Sequence, residues 1–408
     1  DERGKFMLML IKNCKILYQG VEGIKDILVE DGKISKIYSC SDVEELDMDE
    51  IVDLDNNWLL PGIIDVHTHM RDPGLSHKED FETGSMACAK GGVTTFIDMP
   101  NTVPNTTTEE ILKDKENNSR GRSYVDYGFH FGGSRLDNSS EIKKVRDRVA
   151  STKIFLNMST GDMLVEEENI LENLFRESKI VSVHAEEDMV EKAIELSKKF
   201  KKPLYLCHLS KASEVELLRK AKGEGVKVYG EVAPHHLFLN ETQADNLLLM
   251  KPELKTKEDN EALWMGILDG TIDTIGTDHA PHTLEEKNSK TTYGIPGIED
   301  SLVMMLKELN KRISMKKLQE IMCENPAKIF GILGKGKIEV GYDADFVVVD
   351  LKNKELIKNE DVVSKCGWTP YDGIAGGGKV LATFVRGEMV YDGKEFMNKN
   401  GRGVSYNV

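Results

Sequence analysis

"LLPGIIDVHTHMRDPG", residues 59–74, joins an apolar run to two histidines at alternate positions and then to an arginine, an aspartate and a proline. In a strand, successive side chains alternate between faces, so His67 and His69 share one face about one pleat apart. That is ligand spacing. Arg71, two residues further on, keeps the same face if the extended geometry persists, and Pro73 and Gly74 then turn the chain away.

Short apolar, β-prone runs like this one recur. They cover 59–66, 93–98, 125–131, 153–157, 180–184, 204–208, 226–232 and 272–278, with helix-like stretches such as 165–178, 187–201 and 212–223 between them. Strand and helix alternating eight times is the pattern of an α/β fold of the (β/α)8 TIM-like barrel type, whose active sites sit at the C-terminal ends of the strands. The two ends of the chain read differently. "ILVEDGKISKIY" (27–38) is two β-prone arms around Asp31-Gly32, a hairpin dipeptide, and "DADFVVVDL" (343–351) and "KVLATFVRGEMVYDG" (379–393) are strands separated by turn residues. The expected organisation is therefore a barrel over 57–336 and a small β-sandwich-like domain made jointly by 1–56 and 337–408.

Reactive side chains fall at the ends of the strands. The first carries His67 and His69, the fourth opens with Lys153, the fifth ends in His184, the sixth in His208 and the eighth in Asp278. Four imidazoles and a carboxylate at one barrel mouth suit borderline cations such as zinc, and five such ligands exceed one tetrahedral site, which favours two metals. Lys153 as an ammonium has no lone pair. Beside two cations its pKa should fall from ~10.4, and the neutral amine can then add carbon dioxide to give a bridging carbamate; the alternative is a lysine pointing to solvent. His77 and His130 read as ordinary surface or core histidines.

The formal charge of −16 argues against a nucleic-acid or anionic-membrane surface, since both need clustered Lys and Arg. A negatively charged substrate then needs a local cation to hold it. No apolar run approaches the ~20 residues that span a bilayer, and Asp1 to Met9 lacks the apolar stretch of a signal peptide, so the cytoplasm is the expected location. Six scattered cysteines without a CxxC read as reduced thiols, with Cys207 beside His208 placed to touch a metal site but read first as a packed neighbour. The Lys, Glu and Ile content is compatible with a thermophilic source.

"DVHTHMRDPG", "HKEDFETGS", "DMPNT", "HAEED", "CHLS", "EVAPHHLFL" and "DHAPHTLEEK" together resemble the dihydroorotases of the cyclic amidohydrolase superfamily, and several stretches are similar to the dihydroorotase domain of the animal multifunctional pyrimidine protein. The resemblance runs from about residue 58 to 335. It implies an enzyme with two Zn2+ ions that interconverts N-carbamoyl-L-aspartate and L-dihydroorotate in pyrimidine synthesis, using a metal-bridged hydroxide. Carried over, His67 and His69 bind the more buried metal, Lys153 as its carbamate bridges both, and His184 and His208 bind the second. Asp278 binds the first metal and acts as acid and base. Arg71, Asn101 and His282 resemble the contacts to the substrate carboxylate, and the backbone of Pro296 and Gly297 resembles the part that reads the ring amide. Dihydropyrimidinases and allantoinases share the histidines and lysine but lack an arginine at the position of Arg71 in the usual pattern.

Three departures stand out. Ser159 and Thr160 occupy the place of a threonine and phenylalanine on the animal domain's mobile lid. Lys251 in "MKPELK" stands where that form has an arginine, and is a candidate substrate contact. Some bacterial members use an aspartate as the bridging ligand, which brings Asp162 into consideration. Three readings follow: an active dihydroorotase, a hydrolase of uncharged cyclic imides or ureides, and a non-catalytic scaffold that binds an aspartate transcarbamoylase. A homo-oligomer or a complex with that enzyme is compatible with each.

Overall fold

In a computed structural model, residues 7–39, 47–159 and 161–407 are described. The opening apolar run divides in two. Trp58–Pro61 pairs antiparallel with the strand Phe346–Asp350 in a sheet built from the chain's two ends, whereas Ile63–Thr68 begins the barrel. Gly62 is the step between them: a Cβ there would lie 1.9 Å from Thr94 Oγ1, so only glycine lets the backbone pass so close.

Parallel strands follow at each expected position. Val93–Asp98 and Asp126–Phe129 complete a three-stranded arc with Ile63–Thr68. A second arc runs from the short strand Phe131–Gly132 through Thr152–Phe155, Val181–His184, Leu204–Leu206, Val228–Val232 and Thr274–Ile275. Two pairs of contacts join the arcs. Ala150 N–H donates to Phe129 O (2.9 Å) and Phe131 N–H to Ser151 O (2.9 Å) on one side, while His69 N–H donates to His279 O (2.7 Å) beside a parallel bridge from Thr68 to His279 on the other. His130 sits where the third strand breaks, its ring held by Ser151 Oγ (2.7 Å) and Val66 O (2.8 Å), in keeping with a core histidine. The helices Glu168–Glu177, Asp188–Phe200 and Ala212–Gly223 lie within the expected stretches. Ala212–Gly223 shows why: it buries Val215, Leu218 and Ala221, a three-residue spacing that makes one apolar stripe.

Among the described residues the terminal sheet has eight strands, and its apolar face is filled by Ile11, Ile16, Ile27, Val29, Phe346 and Phe384 among others. Asp31 and Gly32 both take positive φ (49° and 77°), as the tight turn between Val21–Glu30 and Lys33–Ser39 requires. The chain does not end in this sheet. Residues beyond Tyr391 return to the barrel, where Gly403 bridges Tyr127 and Gly401 N–H donates to Ser123 O (2.9 Å). At the joint between sheet and barrel, Lys335 Nζ is buried among Asp126 (2.7 Å), Asp343 (3.0 Å) and Asp345 (2.6 Å). These carboxylates surround an ammonium, whose pKa they push up against the cost of burial.

Candidate metal centre

Strand ends bring four histidines and Asp278 together at the barrel mouth, all buried. His67 and His69 ring centres are 5.4 Å apart, those of His67 and His208 5.3 Å, and those of His184 and His208 4.6 Å. Both His67 Nε2 (3.1 Å) and His69 Nε2 (3.0 Å) point at the same oxygen, Asp278 Oδ1. Donor atoms of His67, His208 and Asp278 lie within 4.8 Å of one another.

The outer nitrogens explain this convergence. His67 Nδ1–H donates to Glu231 Oε1 (2.6 Å), which leaves the Nε2 lone pair facing the mouth, and His69 Nδ1–H donates to Asn101 Oδ1 (2.8 Å) with the same result. Glu231 also accepts from the backbone N–H of His208 (2.9 Å) and from the Tyr205 hydroxyl (2.7 Å), so one carboxylate on the seventh strand orients ligands from the first and sixth. His184 Nδ1 meets His208 Nε2 at 2.8 Å. His208 Nδ1 is buried without a hydrogen-bond partner, and His184 Nε2 has only Glu186 Oε1 at 3.4 Å. Unsatisfied imidazole nitrogens this deep fit a cation better than they fit one another.

The electrostatics agree. Burial pushes His69 down to about 4, and burial followed by the nearby His184 holds His208 well below its ordinary range, so both stay neutral, as ligands must be. Burial also disfavours charge on His67, yet Glu231 and Asp278 outweigh it and push its pKa well up. The two carboxylates thus make the space beside His67 a place for positive charge. Asp278 is likewise raised by burial but is held well below the usual carboxylate range by His67 and His69.

Lys153 is buried, not solvent-facing, with its Nζ 3.1 Å from Cys207 Sγ and 5.2 Å above the Phe155 ring. Cys207 is buried beside His208 and also meets the Lys153 ammonium. Asp162 lies elsewhere: its side chain is 73% exposed and pairs with Arg135 at 2.8 Å.

Arg71 reaches the mouth by a different route from strand alternation. The ladder stops at Thr68, and Arg71 adopts φ +62°, a left-handed turn that redirects its side chain inward. Asp278 (φ +50°) and His208 (φ +35°) are bent in the same region of backbone space, three uncommon conformations concentrated at one site. Arg71 Nε–H donates to Pro281 O (3.1 Å), and burial lowers its pKa to about 10, still a cation at neutral pH. His282 lies 3.2 Å from the guanidinium. Its Nδ1 accepts from Lys78 Nζ (3.0 Å), so its Nε2–H donates to Tyr293 O (3.0 Å); burial, Arg71 and Lys78 push the ring down to about 2, hence neutral. Among the described residues Arg71 has no ion-pair partner, so its fork remains available to an anion.

The other expected contacts divide. The Gly297 N–H is already donated to His279 Nδ1 (3.1 Å), and the Gly297 carbonyl takes a long contact from Asp300 N–H (3.4 Å). Ser159 and Lys251 line one open cleft with Glu186 and Tyr293, but Lys251 pairs with Glu253 at 2.7 Å. Thr160 lies outside the described residues. His77 is exposed and bonded to Glu286 (3.0 Å), a surface histidine as expected. The sequence reading missed Glu231, although a carboxylate at the end of the seventh strand was the signal, and it assigned Asn101 to substrate without its contact to His69.

Comparison with known proteins points the same way. The profile of the amidohydrolase family matches residues 58–390. The dihydroorotase of Pyrococcus furiosus is 38% identical over 418 residues, covering 97% of this chain and 93% of its own, and that of Methanosphaera stadtmanae is 35% identical, covering 94% and 96%. Among solved structures, the L-hydantoinase (dihydropyrimidinase) from Arthrobacter aurescens superposes with a TM-score of 0.92 at 30% identity, covering 98% of this chain and 100% of its own. The dihydropyrimidinase from Brevibacillus agri gives 0.90 at 26%, covering 98% and 99%. Matched over most of its length, with its histidines and Asp278 gathered at the mouth of a parallel-stranded α/β fold, the chain belongs to the amidohydrolase family.

Proposed function

We propose that the protein is a dihydroorotase, which closes N-carbamoyl-L-aspartate to L-dihydroorotate and water and reverses that reaction. The observation that carries this reading is Arg71: a buried guanidinium beside a neutral His282, without an ion-pair partner among the described residues. A planar fork of this kind pairs with a carboxylate in a bidentate way, and a hydantoin or dihydropyrimidine ring offers none. The solved relatives named hydantoinase and dihydropyrimidinase support the second reading, an uncharged ring, for which a buried unpaired cation would be a cost with nothing to offset it.

The donor set fits Zn2+ ions, which His67, His69, His184, His208 and Asp278 would hold together with Lys153 as its carbamate. Bound there, such ions polarise a carbonyl and lower the pKa of water to about 7. The chain does the rest. Glu231 and Asn101 fix the His67 and His69 tautomers, and Arg71 with Asn101 holds the substrate's free carboxylate beside His282. In ring opening, water adds at the ring carbonyl while Asp278 takes its proton and passes it to the departing nitrogen. In closure the ureido nitrogen attacks the carbon of the β-carboxylate, Asp278 moves the nitrogen's proton to the departing oxygen, and that oxygen leaves as water with a second proton from solvent. Pro296 and Gly297 carbonyls accept from the ring N–H.

Among the described residues no helix is long and apolar enough to cross a membrane. We place the reaction in the cytoplasm and divide the chain into a barrel that begins at Ile63–Thr68 and a composite β domain built from the two ends and including Trp58–Pro61, with the residues beyond Tyr391 returning to the barrel. A homo-oligomer or a complex with an aspartate transcarbamoylase is the assembly that fits this role. The function is tested by following closure of N-carbamoyl-L-aspartate by ultraviolet absorbance with and without a chelator. Turnover that chelation abolishes and zinc restores is expected; no turnover with zinc bound would favour the scaffold reading.

A further inference from the structure

The loop after the eighth strand, which carries His282, Pro296 and Gly297, is held from behind by a carboxylate that does not reach the mouth. Glu79 is fully buried and accepts five hydrogen bonds. Its Oε1 receives the Thr83 hydroxyl (2.5 Å) and the backbone N–H groups of Asp80 (3.3 Å) and Lys365 (3.3 Å). Its Oε2 receives His279 Nε2–H (3.1 Å) and the Ser364 hydroxyl. Three separate parts of the chain therefore meet at one side chain: the segment after the first strand, the end of the eighth, and a strap at 363–369.

The strap reaches the same loop twice more. Trp368 Nε1–H donates to His282 O (2.8 Å), and the N–H groups of Val363 (3.1 Å) and Ser364 (3.3 Å) donate to Glu299, two residues beyond Gly297. A carboxylate surrounded by donors can only accept, which puts the His279 proton on Nε2 and leaves Nδ1 as the acceptor for Gly297 N–H. With the other tautomer, two N–H donors would face each other at 3.1 Å and the Gly297 peptide would have to move.

We propose that Glu79 is a positioning residue for ring recognition: by fixing the His279 tautomer and anchoring the strap, it sets the Gly297 peptide so that the neighbouring carbonyls face the substrate ring. This rests on the reading of that loop as the ring-binding side. Glu79 touches neither substrate nor metal ligands, and its effect is on how the ring is held.

The test compares the zinc-loaded full chain with its Glu79→Gln variant on L-dihydroorotate, dihydrouracil and hydantoin. The substituted amide supplies one acceptor and one donor group where the site presents only donors. For whichever ring the wild type opens, kcat/KM is expected to fall on the order of 10²-fold, mostly through KM, with zinc per chain unchanged. In parallel, 15N spectra of histidine-labelled protein should show His279 protonated on Nε2 in the wild type and not solely so in the variant. KM within twofold of wild type, activity lost only in proportion to zinc, or an unchanged His279 signal would each overturn the proposal. Should Glu79→Gln not fold, Ser364→Ala removes one donor and keeps the carboxylate: a several-fold rise in KM with zinc retained is expected, and an unchanged KM overturns the proposal. If the wild type opens only an uncharged ring, the dihydroorotase reading fails while Glu79 is judged on that ring. The tautomer signal is read without turnover and decides the matter if no ring is opened.

Discussion

Arg71 is an unfavourable residue to place where it is. Its guanidinium is buried, its backbone is left-handed, and its Nε bond goes to a backbone carbonyl that neutralises no charge. An incoming carboxylate offsets that cost, so removing the fork should cost about 2–5 kcal/mol, roughly 30- to 5,000-fold in kcat/KM for dihydroorotate. Arg71→Ala is expected to show this loss with zinc per chain unchanged; normal turnover would remove the carboxylate role. The gathering of His67, His69, His184, His208 and Asp278 was legible because they stand at the ends of apolar runs, where strand alternation and barrel geometry give them one destination. Their orienting partners were not. Glu231 is 164 positions from His67, and no local period connects a carboxylate to the imidazole it holds. Arg71 was expected on the mouth-facing side by strand alternation and arrives there by a left-handed turn, which sequence spacing does not encode.

At the scale of elements, the eight apolar runs all became barrel strands because parallel strands buried on both faces read as continuous apolar segments. The first run, 59–66, hid a change of sheet at Gly62, since both sheets bury that segment and its hydropathy does not alter at the step. The eighth ladder is short, Thr274–Ile275, because the chain bends through Asp278 to present it. The strap at 363–369 carried no recognisable chemistry in sequence; its importance comes from contacts with Glu79, Glu299 and the loop after the eighth strand. It also has a titratable contact. Asp300 accepts from Thr369 Oγ1 (2.6 Å), and burial together with the charge of Glu299 raises its pKa to about 7. Between the unfolded value of ~3.9 and about 7 the folded state binds the extra proton, so this group's contribution to stability falls as pH rises through that window. Asp300→Asn, neutral throughout, should therefore gain in melting temperature relative to wild type as pH rises across that window. A constant difference across it would contradict the assignment.

Over the whole molecule, the terminal sheet and the barrel are joined by buried charge as well as by apolar packing. Lys335 ties Asp126 of the third barrel strand to Asp343 and Asp345, which lead into the strand Phe346–Asp350. Local charge is also what reconciles a chain of net charge −16 with an anionic substrate. Arg71 and Lys78 lie together at the mouth about a neutral His282, Lys78 also facing Glu286 at 3.6 Å, so Arg71 is the local cation left for an anion. The fold is shared with hydantoinase and dihydropyrimidinase structures, so it cannot select the substrate; that choice rests on the few residues that meet the ring's substituents. The most direct measurement is the ratio of kcat/KM for L-dihydroorotate to that for dihydrouracil and for hydantoin, on the zinc-loaded wild type. Strong preference for dihydroorotate, on the order of 10²-fold or more, is the result expected of a buried arginine that reads a carboxylate. Equal or faster opening of the uncharged rings would keep the metal centre and overturn the substrate.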